Sequence, residues 1–203
     1  LDAKLPQTQL SGQANINTSA RDAPIQVRLA ITNAKPGRWD AQTLPIERLT
    51  VQAEGSASDR TRLLLPQFEA VLHQNAGTVR GSGQWRGHEA ELVLQLSGLR
   101  PAALDARAVA LTAAGSTTLT IVGLPSPEGK LPAEQKLDVK AVIDVQGELD
   151  APPRQPIRVQ TKAHVVREAA NAGVHQWRID LRNLHLRSAG ANAEGVVAGY
   201  PWD

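Results

Sequence analysis

From Leu137 to Leu149 the chain alternates between apolar and polar side chains. Leu137, Val139, Ala141, Ile143, Val145, Gly147 and Leu149 fall on one side. Asp138, Lys140, Asp144, Gln146 and Glu148 fall on the other, with Val142 the exception. A period of two over so long a run predicts a β-strand with one dry and one wet face. The same alternation recurs along the chain. Leu10, Gly12, Ala14 and Ile16 share a face, as do Ile25, Val27, Leu29 and Ile31, and then Leu49, Val51 and Ala53. Val79, Gly81, Gly83 and Trp85 follow, then Ala90, Leu92, Leu94 and Leu96. Ile157 to Val165 repeats the pattern, and so do Trp177, Ile179 and Leu181. The parity slips at Asn183 and resumes at Leu184 and Leu186, which predicts a bulge.

Less regular strands are predicted at 62–72, 117–123 and 191–199, for about ten or eleven strands in all. One helical turn is predicted within 100–111, where Pro101 suits a helix start. Turn residues crowd 33–40, 123–134 and 150–156, and the middle segment is a possible internal break. Many dry-face positions are Ala, Gly or Thr, too small to fill the ~10 Å between packed sheets. Either the sheets approach closely, or large residues such as Trp85 and Trp177 fill the space, or something other than protein does. The expected fold is therefore all-β. The dry face covers either the core of a closed β-sandwich or an open apolar groove along an elongated antiparallel or mixed sheet. In the second case Leu92, Leu94, Leu96, Leu137, Val139, Ile143, Val145, Ile157, Val159, Ile179 and Leu181 would line it.

Composition narrows the function classes. The 203 residues are 41% apolar and 21% charged, with one Phe, one Tyr, no Met and four Trp, so aliphatic residues and Ala must fill any core. A net charge of +2 on scattered Lys and Arg gives no footprint for nucleic acid. The absence of Cys excludes disulfides and thiol chemistry. With no initiator Met, signal peptide or long apolar run, the chain reads as a piece of a larger repetitive β protein, with any membrane anchor outside it.

No catalytic constellation emerges, and neither an enzyme nor a cofactor is expected. "GSGQWRG" (81–87) lacks the dinucleotide-binding spacing and sits within a strand pattern. The five His residues, at 73, 88, 164, 175 and 185, have no zinc-ligand spacing, and His164 and His185 fall on wet faces. Glu89 and Glu91 share a wet face, whereas acid–base catalysis needs a cleft.

Short Gly-containing phrases, "LSGQANI", "VRGSGQW", "VQGEL" and "AEGVVAG", hint at an internal repeat. The stretch "GTVRGSGQWRGHEAELVLQLSGLRPAALDARAVAL" (77–111) resembles the repeated units of the TamB family, envelope proteins of the translocation and assembly module related to AsmA-like proteins. Residues 136–149 and 176–199 resemble further units of this type. The resemblance implies a periplasmic location in an inner-membrane-anchored protein and a curled, taco-like sheet with an apolar lining. It also implies a role in outer-membrane protein assembly and phospholipid movement. The implied partners are lipid acyl chains or nascent outer-membrane β-strands, and an outer-membrane barrel. The competing function is a structural or adhesin-type interaction module.

Overall fold

The computed structural model describes residues 8–18, 24–56, 58–131, 136–150, 152–169, 175–188 and 191–199. Among them lie eleven β-strands: β1 (Leu10–Asn17), β2 (Ile25–Asn33), β3 (Ile46–Gly55), β4 (Arg62–Leu72), β5 (Thr78–Arg86) and β6 (Glu89–Leu99). They continue with β7 (Leu111–Val122), β8 (Leu137–Leu149), β9 (Pro156–Ala169), β10 (His175–Ser188) and β11 (Ala191–Gly199). Every strand pairs antiparallel with its chain neighbours, in the order β1 to β11, and the sheet does not close on itself. The fold is thus all-β, an open curled sheet and not a sandwich, and wholly antiparallel where a mixed sheet had been equally open. Among the described residues helix is confined to one turn, α1 (Pro101–Leu104), with Pro at its start, and to 3-10 turns at Trp39–Ala41 and His73–Asn75.

Local chemistry explains the joints. Gly87 and His88 alone link β5 to β6, and Gly87 has φ 55°, the left-handed conformation that tight hairpins demand. Gly98, φ 59°, sits where the β6–β7 register shifts between Leu96 and Leu99, as a glycine bulge does. The slip at Asn183 is such a shift too. Pairing jumps from Arg182 to His185 against β9, and Asn183 has φ 51°. Residues 132–134 of segment 123–134 lie outside the described residues; on either side of it β7 and β8 pair from Leu111↔Leu149 to Val122↔Asp138.

At one end of the sheet the connections are stitched together. The His73 N–H donates to the Pro45 carbonyl, the Arg100 N–H to Ala76 and the Asp150 N–H to Ala110, at 3.1, 2.8 and 3.0 Å. The Arg100 guanidinium also donates to the carbonyls of Gln74 and Asn75, each at 2.7 Å. The Ala106 N–H reaches Asp40 Oδ1 at 3.3 Å, joining the β2–β3 and β6–β7 connections, which four strands separate. Such a bridge is natural at the end of a curled sheet.

Burial follows the sequence alternation. On β2, β6 and β8 the apolar positions are half-buried and most polar positions are exposed. On those strands the apolar face is thus the less exposed one, while on β9 and β10 the opposite face holds Val166 and Asp180, each only 5% exposed. Among the described residues, no large side chain is fully buried, and the buried apolar set is mostly Ala. The protein exposes 13418 Å² of surface. A compact monomer of 21.7 kDa would expose only about 9,200 Å².

Candidate functional site: an apolar trough

The antiparallel register carries the apolar face from strand to strand in rows. One row crosses Leu65, Gly83, Leu92, Leu119, Ala141, Ala163 and Leu181. Its neighbours contain Phe68, Gly81, Leu94, Thr117 and Ile143 on one side, and Trp85, Ala90, Ile121, Val139, Val165 and Ile179 on the other. Beyond Ile143 lies a row with Leu96, Val145 and Val159, and then one with Ala113, Gly147 and Ile157. Because partners across a ladder share a face, these rows form a continuous apolar track.

Ten of the eleven residues expected to line a groove fall in these five rows. Leu137 stands at the rim, opposite Arg167 of β9. All eleven are half-buried, none sealed and none fully exposed. Sequence reasoning missed other members. Leu119 and Ile121 alternate with Thr118 and Thr120, a signal present within the predicted strand at 117–123. Phe68 was hidden because Pro66 lies within a bulge. Pairing with β5 jumps from Leu65 to Phe68, so the parity of β4 changes midway. Leu184 and Leu186 resume the inner face after Asn183, each opposite a small residue of β11, Gly195 and Ala193.

Glycine shapes the trough floor. A Cβ on Gly81 would lie 2.5 Å from Phe68 Cζ, so the missing side chain is what lets the ring lie down. Few polar atoms interrupt the track. Trp85 Nε1 and Thr117 Oγ1 are buried without a hydrogen-bond partner, while Thr161 Oγ1 donates to the Arg182 carbonyl at 3.1 Å. Trp39 is exposed, the Trp177 side chain and Trp202 lie outside the described residues, and only Trp85 can be placed in the trough. An open pocket of about 620 Å³ at one end of β7–β10 draws its lining from both faces, with Gln146, Arg158 and Arg187 of the outer face beside Ala113, Gly147 and Ile157, and so is not part of the trough alone.

The outer face is a polar ladder. Asp144 accepts from Arg158 Nη2 at 2.8 Å and from Gln160 at 2.9 Å, and the Arg158 pairing chiefly holds its carboxyl below the usual range. Arg80 donates to Glu69 at 2.8 Å, and His164 Nε2 lies 2.9 Å from Asp138. His185 contacts Glu194 on the same face. Glu91 accepts from Gln84 at 2.8 Å, so Glu89 and Glu91 edge a solvated strand pair. Among the described residues no cluster of three His, Asp or Glu could hold a metal ion. "GSGQWRG" lies in β5 and its turn to β6, and opens no helix. No protein-family model matches the chain, and neither does any curated protein or solved structure.

Proposed function

We propose that the protein is a non-enzymatic conduit module whose trough shields apolar cargo, lipid acyl chains or outer-membrane β-strands in transit, between the two membranes of a diderm cell. The observation that carries this reading is the unclosed sheet, with an apolar face half-buried from β2 to β10 and no large side chain sealed among the described residues. Surface of this kind is costly to leave in water, at about 25 cal/mol per Å². A continuous track offers an acyl chain about 0.8 kcal/mol per CH₂ without directional bonds, so cargo is held yet slides. The resemblance to the TamB family supports the same reading. It would place the module in the periplasm, beside an outer-membrane barrel partner and tethered to the inner membrane by a segment outside this chain.

The test compares Val139→Asp, on the inner face, with Lys140→Asp, on the outer. A photo-crosslinker at position 139 should capture phospholipid in the parent. Val139→Asp should stay folded and lose bound lipid, and Lys140→Asp should retain it. If Val139 sits in a closed core, the aspartate would bury an unpaired carboxylate and the fold would melt. Loss of fold in that variant, with no lipid captured by the parent, overturns the proposal and leaves an interaction module.

A further inference from the structure

We propose that the β6–β7 connection, residues 100–110, is a strap that holds the sheet curled and so sets the width of the trough, with Asp40 as its latch.

The sequence makes the strap and the β2–β3 connection copies of one design. Lys35, Pro36, Trp39, Asp40, Ala41 and Gln42 match Arg100, Pro101, Leu104, Asp105, Ala106 and Arg107 at one constant offset. Leu29 and Ile31 of β2 match Leu94 and Leu96 of β6 at the same offset. The β8–β9 connection opens on the same Leu-Asp-Ala triplet, at 149–151. Three connections at one end of the sheet thus carry an aspartate at an equivalent place.

The strap is where their ties converge. The Ala106 N–H donates to Asp40 Oδ1 of the β2–β3 connection at 3.3 Å. The Arg100 guanidinium holds two carbonyls of the β4–β5 connection, and its N–H donates to Ala76, which is fully buried. The Ala110 carbonyl accepts from the Asp150 N–H of the β8–β9 connection at 3.0 Å. Ties between adjacent connections add little to what the strand ladders already hold. The Asp40 tie differs, because its two connections are rooted four strands apart, ~19 Å along the sheet. A bond between their tips resists any flattening that carries their roots apart.

The latch is built for this. Asp105 accepts from the Arg107 N–H at 2.9 Å, a turn that leaves the Ala106 N–H for another acceptor. Arg38 Nε lies 3.3 Å from Asp40 Oδ1, and the Asp40 side chain is only 21% exposed. One hydrogen bond at a loop contributes modestly, so the latch opens while the ladders stay intact. As a control on cargo the strap rests on the conduit reading; as a control on shape it does not.

The chain has no Cys, so paired spin labels read the curl directly. The labels go at the opposite end of the sheet, away from the strap, at Arg60→Cys and Lys130→Cys. Both positions lie in hydrogen-bonded turns, Asp59–Thr61 and Ser126–Lys130. Asp40→Ala removes the acceptor. Ala106→Pro removes the donor, and Asp105 already has the extended backbone (φ −150°, ψ 122°) that suits a residue before proline. In each, the label distance should lengthen by about one strand spacing, ~5 Å. Asp40→Asn keeps an acceptor oxygen and should keep the parent distance. Either latch variant decides alone if melting shows the other unfolded. A parent that captures no lipid at position 139 ends the conduit reading, and the strap stands if the distance moves. An unchanged distance in a folded latch variant, or an equal shift in Asp40→Asn, overturns the strap.

Discussion

Phe68 lies over Gly81, and that contact shows how single residues set the trough. Gly81→Val would drive a branched side chain into the ring and into the Val93 carbonyl oxygen, 2.7 Å from the added Cβ. We expect a loss of about 1–3 kcal/mol in urea unfolding, typical of overpacking. Charges are legible at this scale too. Asp105 accepts from the Arg107 side chain and N–H, which holds its carboxyl down at about 2, from 3.8. A depressed carboxyl stabilises the fold above its unfolded value and loses that contribution as pH falls. The melting temperature of the parent relative to Asp105→Asn should stay constant above pH 3.8 and converge by about pH 2. The gap should be small because solvent screens both groups. Parity alone put Val142 on the wet face, where it is 55% exposed, and the groove residues on the dry one. It could not find Phe68, because three consecutive leucines and Pro66 blur the period of β4 before the bulge resets it.

At the scale of elements, β10 is the instructive strand. It needs a left-handed residue where its pairing with both neighbours shifts, and Asn183 supplies it. Asparagine tolerates that conformation through its short polar side chain, and a β-branched residue does not. Asn183→Val should cost about 1–2 kcal/mol, whereas Asn183→Gly should be near neutral, as chemical denaturation would register. This bulge was legible because leucines on both sides declared the change of parity. The start of β7 was not. The strand begins at Leu111, before the predicted 117, because Ala113, Ala114, Gly115 and Ser116 are too small to mark a period. The single turn of α1 was legible from Pro101.

For the whole molecule, the sequence foretold strands but left open whether they closed into a sandwich. Alternation reports that a strand has a dry face, not what that face meets. The open sheet follows from pairing between chain neighbours alone, with ten strand spacings of ~4.8 Å giving a span of ~48 Å along the curve. Small-angle scattering should return a radius of gyration clearly above the ~17 Å of a compact chain of this length. A value at the compact limit would contradict the open shape.

The meander order has a mechanical consequence. Among the described residues each strand pairs only with the strands before and after it, so cooperativity is local, as in stacked-repeat proteins. Tension applied between the ends would peel hairpins from the two edges in turn, and would not shear a sealed core. In an optical trap the extension trace should climb as a staircase of hairpin-sized steps. On relaxation, strands should re-dock in reverse order against whatever part of the sheet survived. A motor pulling on either terminus would thus meet a sequence of small barriers, and could unzip the protein without ever confronting its full stability at once.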